Sequence, residues 1–283
     1  LLKLALRRLA AGAVLLSTLT AACFLLFAAV PGDYLTDAAI DPGVSPGAID
    51  RLRRRASADW TVSPVTGRPV AEILLPRAAR TLSLTLASLA LAWSLAVPFA
   101  ARRALRRDAW SATGALAVGF LVAAPDLLLA LGALWLAVET QWFRVSGDFA
   151  LCCLTLTLVL LPALVRHAQS ALTEAAALPF VTAARLAGVR EWRVAALWIL
   201  PAGAAPLIAL LGLGLATGLS ASLIVETVLG WPGLGPLLLE AILGRDYPVV
   251  LGAVTLSGAF VVAGNLAADL LQLAVDPRRR SAT

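Results

Sequence analysis

Methionine is missing from all 283 positions, histidine occurs once (His167) and cysteine three times. These scarcities exclude whole classes of function. A zinc site gathers several His, Cys or acidic ligands. One histidine, with Cys23, Cys152 and Cys153 all inside apolar runs, offers no such cluster, so no metal site is expected. An odd number of cysteines in apolar surroundings is also a poor disulfide framework, and the three read as small packing residues. Charge is short as well: 14% of the residues are charged, where a soluble domain carries about 25%. No GxxxxGK[ST] run occurs, so no nucleotide is expected on this chain by that route, and no nucleophile–base pair marks a catalytic residue. Since methionine is absent even at position 1, the first residues are expected to differ from a natural start and carry no weight below.

What the chain has instead is apolar length. It is 60% hydrophobic, with uncharged runs at 9–32, 81–101, 149–165, 194–225 and 247–268, and a sixth at 109–138 broken only by Asp126. About 20 predominantly apolar residues suffice for a helix to cross a bilayer. The expectation is an all-α, polytopic membrane protein with six transmembrane helices. The first run is too long for the core of a cleaved signal peptide. Net charge is +6, but the basic residues flank the runs, which reports topology and not nucleic-acid binding. Six spans put 14 of the 23 Lys and Arg on one face, at Lys3–Arg8, Arg102–Arg107, Arg166–Arg193 and Arg278–Arg280. The positive-inside rule makes that face cytoplasmic, with both termini on it. Against this stands Arg51, Arg53, Arg54 and Arg55 in a Pro- and Gly-rich loop at about 33–79 on the opposite face. That run is either a solvated surface or a contact for an external partner or lipid headgroups.

Between the fourth and fifth runs lies a segment of helical composition, Arg166–Pro201, that does not span. Pro179 interrupts it, Phe180–Ala187 reads as a short helix, Gly188 as its C-cap and Arg190 as the start of a second helix. Such a bent hairpin is either a plain connector or a docking element.

The residues TAARLAGVREWRVAALWILP in this hairpin resemble the EAA loop of ABC importer permeases. Thr182, Ala183 and Ala184 take the E-A-A places, Gly188 the glycine, and Leu200-Pro201 the terminal pair; Thr182 replaces the acid and Trp198 an isoleucine. FVTAARLAG is similar to the version found in the oligopeptide, dipeptide and nickel branch, particularly its first, B-type permease. Pro31-Gly32-Asp33, the long run from Val225 through Trp231 to Gly235, Glu240-Ala241-Ile242, Arg245–Val249, Asn265 with Asp269, and Asp276-Pro277-Arg278 resemble the same branch in collinear order. Arg144 stands where that branch has a proline before Val145-Ser146-Gly147.

The resemblance implies a type I ABC importer transmembrane domain with a cytoplasmic coupling helix, in the bacterial inner membrane. It implies residues 1–78 as first helix plus external loop, 79–276 as the transmembrane core with the EAA-like loop at 174–201, and 277–283 as a cytoplasmic tail. Implied partners are a second homologous permease, two ATP-binding subunits that hold ATP and Mg, an external solute-binding protein and membrane lipid. Thr182, Ala183, Ala184, Arg185, Gly188 and Glu191 would couple to the ATPases, with Arg185, Arg190, Glu191 and Arg193 as a charged rim. Peptides are the expected cargo, with nickel or a metallophore as alternatives.

The residues themselves add a candidate pathway or gate. Charge at a helix centre costs about 2.5–3.5 kcal/mol on insertion scales, so such acids face a bundle interior or a water cavity. Asp126 after Pro125, Glu226 and Asp269 fit that description; Asp126 is pathway lining or a paired structural acid, and Asp269 reads as interhelical packing. Trp231 sits in a segment of 13 uncharged residues, too short to span, as an interfacial anchor or a gate. An ion-driven secondary transporter is the alternative function, although no inverted repeat is evident.

Overall fold

The structure is a computed structural model that describes residues 2–29, 60–106, 119–121, 123–144 and 146–275. Pro31-Gly32-Asp33, the Arg51–Arg55 run, Val145, Asp276-Pro277-Arg278 and the 277–283 tail lie outside the described residues. The described residues are predominantly helical. Helices α1 (Leu2–Ala29), α2 (Val70–Arg106), α3 (Asp126–Thr140) and α4 (Phe149–Ala176) are followed by the short α5 (Pro179–Leu186) and α6 (Glu191–Val194). A π-helical turn (Ala195–Ile199) and α7 (Leu200–Ala202) lead into α8 (Ala204–Leu229), α9 (Leu234–Leu243) and α10 (Tyr247–Val275).

Five of the described helices are long and apolar enough to cross a membrane: α1, α2, α4, α8 and α10. The sixth expected span, 109–138, is represented by α3, whose 15 residues begin only at Asp126. Proline cannot donate to a helix and disfavours helical geometry in the residue before it, and Pro125 accordingly stands in extended backbone as the N-cap of α3. Asp126 is therefore in the first turn of α3, where the helix dipole favours an acid; residues 119–121 and 123 on the other side of Pro125 are helical as well, and 107–118 lie outside the described residues.

Two other boundaries differ from expectation for physical reasons. The loop expected to reach residue 79 ends at Val70: Glu72, Arg77 and Arg80 interrupt the apolar run but favour helix, and α2 has 37 residues. At 1.5 Å per residue α2 is about 55 Å long, well beyond a hydrocarbon core of about 30 Å. The boundary set at 78/79 consequently falls inside one helix. Conversely, the uncharged run from 194 starts ten residues before α8, because 194–203 is the apolar return limb of the hairpin. That limb contains the π turn immediately before Pro201, whose missing N–H breaks the regular ladder.

Packing falls into three levels along the bundle. At the hairpin end, Ala100, Ala101 and Ala104 of α2 meet Leu172 of α4, Val181 of α5, Val194 and Ile199. The middle level joins α2, α3, α4 and α8 through Leu84, Ala130, Leu156 and Leu219. At the opposite end, which we call the reversal end, Val70 and Leu74 of α2 pack on Leu234, Leu237 and Val250. Two buried hydroxyls in between bond to nearby carbonyls, as the interior of a membrane bundle favours: Thr155 donates to Leu151 O at 2.7 Å, and Thr157 donates to Cys153 O at 2.7 Å and Ser88 O at 3.3 Å.

At the reversal end a small turn at 61–70 is clipped to the turn before α10. Val70 N–H donates to Thr61 O at 2.8 Å, and the Ser63 hydroxyl donates to the Asp246 carboxylate. Both side chains are buried, and Asp246 also accepts from Val249 N–H at 3.3 Å. Burial pushes the Asp246 carboxyl above its usual value, and the Ser63 and Val249 hydrogen bonds oppose this only in part. The folded chain thus holds this proton more tightly than the unfolded chain, so this group's contribution to stability falls as pH rises from the ordinary carboxylate value of 3.8 through the raised one. In detergent, the Asp246→Asn variant is expected to lose that fall in thermal midpoint while matching or exceeding wild type at neutral pH. Parallel midpoint-against-pH curves would contradict the assignment.

Candidate functional site

Two constellations stand out, one at each end of the bundle. The first is the hairpin. Proline is tolerated at the start of a helix, and Pro179 begins α5. The helix ends in a Schellman motif: Gly188 N–H donates to Arg185 O at 3.0 Å and Val189 N–H to Ala184 O at 3.3 Å. Gly188 has φ +74°, a left-handed conformation open to glycine at little cost. A Cβ built there meets no atom of the described residues within 4 Å, so among them the space above the turn is open.

Side chains divide the hairpin into two faces. Val181, Val194 and Ile199 are fully buried against the bundle. Thr182 and Ala183 are exposed, Ala184 is half-buried, and Leu186 and Trp192 are 85% and 61% exposed, with Phe180 also uncovered. An apolar surface of this kind, rimmed by charge, marks an interaction site. The rim consists of Arg190, Glu191 and Arg193. Arg185 does not belong to it: its side chain is only 16% exposed and bends across the turn, with Nε 3.4 Å from the Glu191 carboxylate. Its two terminal nitrogens are enclosed without an acceptor among the described residues. Arg185 near a helix C-terminus and Glu191 near a helix N-terminus each complement their helix dipole, so the pair closes the hairpin as a staple.

The second constellation is the reversal between α8 and α9. Glu226 lies in the last turn of α8 with 0% exposure, and its carboxylate accepts the Gly235 N–H at 2.9 Å. Thr81 of α2 accepts the Leu234 N–H at 2.8 Å, and its hydroxyl and the Glu226 carboxyl both stand against Gly233. The first two N–H groups of α9 are thus capped by side chains from two other helices. Gly235 admits no side chain, since a Cβ would collide with the Leu223 carbonyl. On the other flank Gly147 N–H donates to Leu229 O at 2.9 Å. Asp148 beside it caps α4 through Ala150 N–H at 2.8 Å and Leu151 N–H at 3.2 Å, bonds that hold its carboxyl below the usual range.

These positions redistribute the expected pathway residues. Glu226 is fully buried among the described residues, where it caps the start of α9 and scaffolds the reversal. Trp231 is half-buried against Phe149, ring centroids 5.4 Å apart, with its indole N–H enclosed; it packs inward. Asp269 pairs with Arg8 at 3.2 Å and joins α10 to α1. Asp126 is half-buried at the start of α3. The three acids lie on different helices at different levels and are not brought together. Thr81 was not singled out from the sequence, because an uncharged residue opening an apolar run carries no local signal.

A multi-span helical bundle with a glycine-capped hairpin at one end defines the transmembrane component of a transporter. The family described as binding-protein-dependent transport system inner membrane component matches residues 96–281. The chain belongs to that family: it is a multi-pass inner-membrane permease of the ABC-importer type and not an enzyme. A peptide permease protein of Brucella ovis is 30% identical, covering 98% of this chain and 99% of its own length. The oligopeptide transport system permease protein AppB of Bacillus subtilis is 28% identical over 91% of this chain and 92% of its own length. The nickel import system permease protein NikB of Staphylococcus aureus is 30% identical over 75% and 66%. Among solved structures, the inward-facing methionine ABC transporter MetNI superposes with a TM-score of 0.65 at 19% identity, covering 72% of this chain and 96% of that one; this likeness concerns the fold alone. Nothing in these likenesses supports an ion-driven secondary transporter.

Proposed function

We propose that this chain is one of two paired permeases in an importer of peptides or a related small solute, with its hairpin end in the cytoplasm. Two ATP-binding subunits dock on the hairpin, and a solute-binding protein delivers cargo at the reversal end. The observation that carries the reading is the hairpin: a glycine-capped turn that presents Phe180, Leu186 and Trp192 with no cover from the described residues. Described basic residues of the charge-rich face, among them Arg8, Arg102, Arg103, Arg166, Arg190 and Arg193, occur at that end, which supports its cytoplasmic orientation. Peptide cargo is supported by the names of the relatives that cover nearly the whole chain; nickel is the second reading, favoured by the NikB relative.

Docking is tested by co-purification. Expressed with the ATPases of its own operon, the chain is expected to hold them through detergent extraction and to lose them when Leu186 and Trp192 are changed to Asp. Purification free of ATPase, or retention in that double variant, would sink the reading. Asp126 remains the candidate lining residue: Asp126→Asn is expected to lower uptake of cationic peptides relative to neutral ones, and an unchanged ratio would remove it from the pathway.

A further inference from the structure

Capping α9 could be done far more simply than it is. A Ser or Asp at the N-cap position satisfies the first N–H groups of a helix locally. Here the N-cap is Gly233, which has no side chain and no room for one, because a Cβ would collide with the Glu226 carboxylate and the Thr81 hydroxyl. The acceptors are borrowed instead: Glu226 from α8, and Thr81 from α2, 153 positions away in the chain. Arg80, next to Thr81, adds a contact from Nη1 to Pro232 O at 3.4 Å. A cap taken from another helix makes the start of α9 conditional on where that helix stands. The arrangement is also incompletely satisfied, since the second Glu226 oxygen is buried without a donor among the described residues.

We propose that Thr81 and Glu226 are positioning residues that latch the Trp231–Gly235 reversal to α2, and that this end of the pathway opens when Thr81 releases the Leu234 N–H. The inference rests on the permease reading above and on its orientation. It differs from a merely structural cap in one respect: the contact breaks during each transport cycle.

The test places a single reporter cysteine at Leu234, which is 1% exposed, and follows its reaction with a membrane-impermeant maleimide in membranes carrying the assembled importer. The chain without the reporter supplies the baseline for Cys23, Cys152 and Cys153. In the resting complex the reporter reacts slowly. Thr81→Val keeps the side-chain volume but removes the acceptor of the Leu234 N–H, and is expected to raise the rate about tenfold, the population change that loss of one buried hydrogen bond carries. Thr81→Ser keeps the hydroxyl and is expected to stay within about twofold of the parent, which separates the latch from a folding defect. Trapping the parent complex with a non-hydrolysable ATP analogue is expected to bring it to the Thr81→Val rate. A Val variant as slow as the parent, a Ser variant as fast as Val, or a trapped parent that stays slow would each overturn the latch. Right-side-out and inverted vesicles are compared throughout. Labelling confined to inverted vesicles would refute the orientation, while the Val–Ser contrast would still report on the latch.

Discussion

Replacing Gly188 by valine is expected to abolish ATP-coupled uptake while leaving the chain inserted in the membrane. The glycine holds φ +74°, where an L-residue costs about 1–2 kcal/mol and a β-branched one is a genuine outlier. The new side chain clashes with none of the described residues, because the space around position 188 is open among them. Bundle packing is therefore spared. The damage falls on the turn and on whatever occupies that free space, which in our account is the ATPase. Relief of the strain would unwind the Schellman cap and part the Arg185–Glu191 staple, moving Leu186 and Trp192 together. In reconstituted vesicles, uptake per unit of inserted protein should drop at least about tenfold, since loss of about 1.4 kcal/mol of coupling already gives that factor. ATP hydrolysis should persist without transport. Gly188→Ala, with a smaller conformational cost, should fall between. Wild-type uptake by the valine variant would show that the turn is only a connector.

The second large effect is expected at Glu226. Two terms compete there. Burying a carboxylate is costly, and replacing a buried ionic group by a hydrophobe of similar size is often neutral or stabilising. That outcome requires both partners to be replaced. In Glu226→Leu the Gly235 N–H stays behind, enclosed and without its acceptor, at about 1–3 kcal/mol in the interior. The unsatisfied donor outweighs the relief of desolvation. The thermal midpoint in detergent should fall by about 5 °C, taking about 2–4 °C per kcal/mol for a chain of this size. Glu226→Gln retains a carbonyl acceptor and should lose no more than about half of that. A leucine variant as stable as wild type would mean that the carboxylate contributes nothing to the reversal.

Which parts of this were readable from sequence follows from the range of each interaction. Charge gaps located the membrane helices because expelling charge from hydrocarbon dominates every local term. They failed at helix ends for the same reason: the apolar limb 194–203 merged with α8, and Glu72, Arg77 and Arg80 hid the first three turns of α2. The hairpin was legible down to Gly188, since a left-handed C-cap is a local demand on one residue. Its side-chain orientations were not. Arg185 reads as a rim charge by composition, and only the three-dimensional turn bends it under the hairpin to Glu191. Likewise Glu226 at membrane depth suggested a pathway acid, but its role is set by α9 folding back onto it and by Thr81 from a distant helix. Asp269 finds Arg8 across the whole length of the chain. Long-range partners of this kind leave no periodic or local mark.

The central claim, an importer permease driven through the hairpin by separate ATPases, is tested most directly by uptake in vesicles that contain the permease pair and ATPases. ATP is enclosed at the hairpin side, loaded binding protein is supplied at the reversal side, and a protonophore is present. The account predicts uptake that depends on ATP, is indifferent to the protonophore and disappears with Gly188→Val. Uptake that proceeds without ATP and collapses with the protonophore would contradict it.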